Sequence, residues 1–151
     1  MILPRGVTGF GNFSGPAVDF AEFKSACYLA ARRLGGSVLA VESCQGKVTP
    51  NFHEATLSLQ AGRVEVLCNA RFPLAAATRP RPAGDMVLDF LDVPGLAEVL
   101  GEAGPFRVLG AAELEARLTA EMTSGLAPAE LLNAKYWQPE RVGDVIFNFW
   151  D

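Results

Sequence analysis

The sequence predicts one α+β domain whose mostly antiparallel sheet has helices packed on one face. Three patterns predict it: one strongly amphipathic helix near the N-terminus, two strands of alternating apolar residues, and a second half in which strand and helix patterns alternate. A chain of 151 residues has the usual length of one domain. We therefore expect residues 1–151 to form a single domain with the order helix, three-strand meander, then β-α-β-α elements.

The first helix follows a glycine-rich segment, residues 1–16, for which we expect an irregular structure. Asp19 and Glu22 stand three residues apart, as in an aspartate version of the capping box. Apolar residues then recur at spacings of three and four: Phe20, Phe23, Cys27, Ala30 and Leu34. This stripe predicts a helix that packs on the core, and Gly35-Gly36 predicts its end.

A three-strand meander is predicted next, with strands at Ser37–Ser43, Phe52–Gln60 and Arg63–Ala70. The second and third strands alternate apolar and polar residues, and Ala61-Gly62 predicts a two-residue turn between them. That turn would place Leu59 opposite Val64 and His53 opposite Ala70. All the alternating apolar residues of the pair would then lie on one face of the sheet.

The second half of the chain predicts short strands and helices after a connection. Residues 71–85 are rich in Pro and Ala and predict a mobile connection. Further elements are expected at Met86–Leu91 (strand), Pro94–Ala103 (helix), Phe106–Leu109 (strand), Ala111–Met122 (helix) and from Pro128 (helix). Residues 142–150 carry an apolar helical stripe that Gly143 weakens, so that both helix and strand stay open there.

The first half of the chain, a helix followed by three strands, resembles the element order of type III secretion chaperones, which are also small and acidic.

The charge balance and the hydropathy pattern exclude several classes of protein. Thirteen Lys and Arg against seventeen Asp and Glu give a net charge of −4, which has the wrong sign for a nucleic-acid-binding protein. No apolar run reaches the length that a membrane span needs, and the first residues do not resemble a signal peptide. We therefore expect a cytoplasmic protein that binds neither nucleic acid nor membrane. Heavy use of Ala, Gly, Pro and Arg favours a bacterial source.

Three cysteines, Cys27, Cys44 and Cys68, are too few and too widely spaced for a disulfide scaffold or a zinc site. Cys27 and Cys68 lie on apolar faces and are expected in the core. Cys44 has no predicted place, and whether it can pair with Cys68 stays open. We expect no metal ion and no cofactor.

His53 is the only histidine and the focus of one functional hypothesis. Histidine is a common general base, and the predicted hairpin places Cys68 diagonally across from it. A small enzyme or ligand-binding protein with a pocket near His53 would use His53, Cys68 and Asp89. We expect instead a histidine at the margin of the core, and catalysis is disfavoured.

The favoured hypothesis is a non-catalytic protein-binding domain. It depends on a C-terminal group of aromatic residues, which are frequent at interface hot spots, and on acidic residues that could face a basic partner. The candidate partner-binding residues are Trp137, Trp150, Phe147, Asp85, Asp89, Glu54 and Glu65. Small acidic bacterial domains of this kind are often immunity proteins that neutralise a toxin, or chaperones of a secreted effector. Self-association through the aromatic residues is the remaining alternative.

Overall fold

The computed structural model describes residues 1–151 and confirms the α+β prediction, with five helices and a six-stranded, mostly antiparallel sheet. The helices are α1 (Phe20–Arg33), α2 (Leu96–Ala103), α3 (Ala111–Glu115), α4 (Pro128–Trp137) and α5 (Val142–Ile146). The strands are β1 (Ser37–Glu42), β2 (Phe52–Leu59), β3 (Gly62–Asn69), β4 (Leu74–Thr78), β5 (Phe90–Leu91) and β6 (Arg107–Val108). The sheet order is β1-β2-β3-β4-β5, and β6 pairs with β4 in parallel.

Helix α1 begins and ends where its capping residues predict. The Asp19 carboxylate accepts a hydrogen bond from the Ala21 N–H at 2.9 Å. Gly35 ends the helix with a φ of +75°, a conformation that glycine adopts without strain. Gly36 is also required, because a Cβ atom there would lie 2.0 Å from the Ser58 carbonyl oxygen of β2.

The β2–β3 hairpin has the predicted faces, but its predicted register is wrong by two residues. Leu59 lies opposite Gly62, so the turn is Gln60-Ala61, and His53 lies opposite Cys68 rather than Ala70. The difference arises because Gly62, at a φ of +126°, occupies the first ladder position of β3 instead of the turn. A shift of two residues keeps every side chain on its face, since side chains alternate with a period of two.

Residues 71–85 were expected to be a connection, and this prediction is wrong for their first half, which holds β4. Ala75, Ala76 and Ala77 are buried in the interior of the sheet, with β3 on one side and β5 and β6 on the other. Alanine is depleted in strands, so the sequence carried no strand signal. Here tertiary contacts override that preference, because both faces of β4 are covered and favour small side chains.

Several predicted elements are shorter than their patterns indicate. The strand at Met86–Leu91 contracts to Phe90–Leu91, and the helix from Ala111 ends at Glu115. Residues 142–150, left open above, form α5 as far as Ile146, after which Phe147 is extended.

Apolar clusters lie on both faces of the sheet. Alternation along β2 and β3 directs Ala55 and Val66 towards α1 and α2, and Phe52 and Leu67 towards the opposite face. That second face is covered by α3, α5, the C-terminal residues and the N-terminal segment. The β2–β3 end of the sheet therefore lies between two packed layers. None of the helices is long and apolar enough to cross a membrane.

Candidate functional site

His53 is held as a neutral imidazole at the end of β2. Its ring is 1 % exposed and packs against Phe20, with the ring centroids 5.1 Å apart. Nδ1 accepts a hydrogen bond from the Cys44 N–H at 3.1 Å, so the proton of the neutral ring lies on Nε2. Burial lowers the pKa of His53, because the charged form loses its hydration.

The cysteine in contact with His53 is Cys44, for which the sequence predicted no place. Its Sγ lies 3.5 Å from Nδ1 of His53, and the residue is 8 % exposed. Burial raises the pKa of the Cys44 thiol, and the backbone N–H and Lys47 partly oppose this effect. Cys44 is therefore a thiol beside a neutral imidazole, not a thiolate–imidazolium pair. All three cysteines are free.

Of the predicted alternative set, His53 and Cys68 lie opposite each other on β2 and β3, whereas Asp89 precedes β5, which pairs with β4. Cys68 is fully buried, and burial, followed by the nearby Cys27 and Cys44, raises the pKa of its thiol far above the ordinary range. The Asp89 carboxylate pairs with Arg79 at 3.0 Å on the surface. An apolar environment keeps a thiol protonated and unreactive, which disfavours Cys68 as a nucleophile.

Glu54 and Glu65, predicted as free acidic groups on the sheet rim, are bound within the protein. Arg81 donates to Glu65 at 2.5 Å and to Glu54 at 2.8 Å, and its guanidinium lies 5.5 Å from the centre of the Phe149 ring. Their charges are partly neutralised within the fold by Arg81, and a role of these two glutamates in facing a partner stays a prediction. Asp85 stays exposed, and its carboxylate accepts from the Val87 N–H.

Two of the three predicted aromatic anchors belong to the core. Phe147 is 1 % exposed and Trp150 is 7 % exposed, and both pack in the cluster on the second face of the sheet. They turn inwards because the chain leaves α5 in an extended conformation at Phe147. Trp137, at the end of α4, is only partly buried. It is the one predicted anchor that reaches the surface.

The most exposed apolar side chains beside Trp137 lie on α4 and in the loop before β5. Leu132 and Tyr136 are 70 % and 77 % exposed, and Met86 and Val87 of the loop are 61 % and 71 % exposed. We call the set Leu131, Leu132, Tyr136, Trp137, Met86 and Val87 the α4 patch. Its two parts adjoin, because Met86 and Trp137 line the same groove of about 150 Å³. The Tyr136 and Trp137 rings meet edge to face at 5.4 Å.

A buried carboxylate, not predicted from the sequence, sets which face of α4 is exposed. Glu130 is fully buried and accepts hydrogen bonds from the Gly6 N–H, the Thr8 N–H and hydroxyl, and the Ala127 N–H, at 2.6–3.1 Å. These donors compensate the cost of removing the charge from water. Because Glu130 points inwards, its neighbours Leu131 and Leu132 point outwards. An S/T-x-x-E pattern would have signalled the cap, but Ala127 occupies the first position.

A second cavity, of about 290 Å³, lies beside His53. It is bordered by the N-terminal segment, by the loop between β1 and β2, and by the ends of β2 and β3. No three His, Cys, Asp or Glu side chains converge in a way that could hold a metal ion.

These observations define the class of the protein as an α+β domain with a mixed, mainly antiparallel sheet, an apolar surface patch on α4 and a small cavity beside His53. Comparison of the chain with protein-family models, with curated proteins and with solved structures finds no match.

Proposed function

We propose that the chain is a non-catalytic protein-binding domain that engages a partner protein through the α4 patch. The observation that supports this proposal most directly is the exposure of Leu132 and Tyr136. They lie one helical turn apart on α4, beside the groove that Met86 and Trp137 line. Single exposed apolar residues are ordinary on a protein surface, whereas a contiguous group of them marks an interaction site.

The chemistry of the patch suits a hot spot. Tyr136 and Trp137 supply large rings whose side-chain freedom is small, and such residues dominate binding energy at interfaces.

An immunity protein that neutralises a toxin is the particular role we favour within this class. The net charge of −4 favours a basic partner, and Asp85 stands next to Met86 of the patch. A chaperone of a secreted effector is the second candidate of the same class. A bacterial, cytoplasmic setting belongs to the same proposal.

The test compares two tyrosines on two helices. Tyr136→Ala removes the centre of the patch, and Tyr28→Ala removes a tyrosine that is 49 % exposed on α1, far from it in sequence. Native lysate is passed over wild type and each variant, and the captured proteins are identified by mass spectrometry. We expect one stoichiometric, basic partner for wild type and Tyr28→Ala, bound at least about 30-fold more weakly by Tyr136→Ala.

Thermal unfolding of each variant verifies that it is folded. The proposal is overturned if no stoichiometric partner is captured, or if both variants capture it equally. Sedimentation of the purified chain separates a second copy from a different partner, since only self-association raises the mass of the isolated protein.

A further inference from the structure

The cavity beside His53 has the size of a site for a small molecule and lies on other elements than the α4 patch. Its volume of about 290 Å³ is at the low end of the range for ligand pockets, which suits a ligand smaller than a typical drug. Apolar side chains, among them Val7, Val18 and Val48, form part of its wall. A short apolar body can therefore pack against this wall.

The charged groups around the cavity have one sign. Lys47 and Arg71 line it, and no Asp or Glu does, although acidic residues outnumber basic ones in the chain. The Arg71 guanidinium donates to the backbone carbonyls of Gly9 at 2.9 Å and of Gly6 at 3.3 Å. These neutral acceptors hold it in place without cancelling its charge.

Lys47 is also only weakly neutralised. Its nearest carboxylate, Glu42, is 3.9 Å away, and both side chains are more than half exposed. Exposed pairs of this kind contribute little, so the ammonium remains available to a ligand. The cavity therefore carries a positive potential in a protein of negative net charge.

His53 adds a hydrogen-bond donor to the wall. Since Nδ1 accepts from the Cys44 N–H, the neutral ring carries its proton on Nε2, and no group of the protein accepts it. A donor of a cavity-lining residue that has no acceptor within the protein favours a ligand that brings one.

We propose that this cavity binds a small organic anion, a carboxylate with a short apolar body. Lys47 and Arg71 provide the positive potential, His53 donates through Nε2, and the valines contact the apolar part. This binding site is independent of the α4 patch, and either proposal can fail without the other.

Cys44 provides the probe, because it lines the cavity and is the only cysteine with any exposure. Iodoacetate and iodoacetamide alkylate a thiolate by the same step and differ in charge. The sulfur attacks the methylene carbon, the C–I bond breaks, iodide leaves with the bonding electrons, and the thiol proton passes to water. The rate of each reaction at Cys44 is measured on the native chain and on the chain in urea by intact mass spectrometry, with Cys44→Ser as the blank.

We expect the iodoacetate-to-iodoacetamide rate ratio to be about fivefold or more higher in the native protein than in urea, because one nearby positive charge attracts the carboxylate. Lys47→Gln should remove most of this preference. Lys24→Gln, which makes the same charge change on the exposed side of α1, should retain it. Sodium butyrate should slow the labelling by iodoacetate more than sodium chloride of equal ionic strength does, because chloride only screens the charge whereas butyrate also occupies the cavity.

Three results would each overturn the proposal: a native ratio no higher than that in urea, equal effects of the two lysine variants, or no protection by butyrate beyond the effect of sodium chloride.

Discussion

Single residues in this protein have roles that their type alone does not indicate, and His53 is the clearest case. As the only histidine it attracts attention as a possible base, yet its Nδ1 already accepts the Cys44 N–H and its ring packs on Phe20. Its environment favours the neutral form. The consequence is a measurable dependence of stability on pH.

We expect the free energy of unfolding to fall as the pH drops below 6.5, the ordinary pKa of histidine. The pKa of His53 is lowered in the folded state, so the unfolded chain binds the proton first, and stability that is fully present above pH 6.5 is lost on acidification. The slope contributed by one histidine is at most about 1.4 kcal/mol per pH unit. Urea unfolding between pH 7.5 and 5.5 measures it.

The control is His53→Asn, whose side-chain oxygen can still accept the Cys44 N–H and does not titrate. This variant should lose the part of the pH dependence that wild type shows just below pH 6.5. Identical slopes for the two proteins would contradict the assignment.

Gly143 is a second such residue: the structure predicts that its replacement by alanine destabilises the protein, whereas its place in a helix alone would predict stabilisation. Within a helix, Gly→Ala ordinarily stabilises by about 0.5–1 kcal/mol. In α5, however, a Cβ atom on Gly143 would lie 2.4 Å from a carbon of the Phe90 ring. We expect Gly143→Ala to destabilise by about 1–3 kcal/mol, as overpacking does.

Gly101→Ala in α2 is the matched variant, since its Cβ would meet nothing closer than 3.8 Å. It should raise the midpoint of urea unfolding, whereas Gly143→Ala should lower it. Shifts of the same sign would show that the contact with Phe90 does not control the choice of glycine.

At the scale of elements, the loop after β4 is attached to the sheet by one arginine. Glu54 and Glu65 project from the same face of β2 and β3, and Arg81 lies between them with a side chain only 13 % exposed. The Arg81 N–H also donates to Glu65. The Pro-rich composition of this loop predicted mobility, and the ion pairs were not visible in it because they join residues 16 and 27 positions apart.

We expect Arg81→Met to destabilise the protein by about 3–5 kcal/mol, since it leaves two partly buried carboxylates side by side without a positive charge. Arg79→Met is the control: its pair with Asp89 is exposed by more than half on each side and should contribute less than about 1 kcal/mol. Urea unfolding at neutral pH compares the two variants. Equal losses would argue against a special role for Arg81.

At the scale of the whole molecule, the N-terminal segment forms part of the apolar cluster on the second face of the sheet, the face that α3 and α5 cover. Residues 1–16 are irregular, as predicted, yet Leu3 and Val7 are fully buried. The Asn51 and Asn69 side chains both donate to the Val7 carbonyl and to the Ile146 carbonyl. The two ends of the chain are thereby joined across the end of the sheet.

Leu3→Ala should therefore lower the free energy of unfolding by about 2–5 kcal/mol, the range for a leucine in the core. Its neighbour Ile2 is 53 % exposed, and Ile2→Ala should change the stability by no more than about 0.5 kcal/mol. Thermal and urea unfolding measure both. A small effect of Leu3→Ala would show that the segment separates from the core.

The sequence predicted those elements whose signals are local. Helix α1 has its cap, stripe and terminating glycines within a single stretch, and the faces of the β2–β3 hairpin follow from strict alternation. The sequence also located Trp137 and His53 as residues of interest. The sequence could not show how either residue contributes to a site, because that depends on what each side chain contacts in the fold.

The sequence by itself determined the α+β class, the acidic surface balance, the first helix and the polarity of the two long strands. These properties depend on composition and on periodicities of a few residues. The tertiary structure alone decided that alanines form the interior strand β4, that Phe147 and Trp150 pack inside while Leu132 and Tyr136 face solvent, and that Cys44 rather than Cys68 contacts the cavity beside His53. Each of these outcomes depends on contacts between residues distant in the chain, such as Glu130 with Gly6 or Arg81 with Glu54. Local pattern carries no record of such contacts.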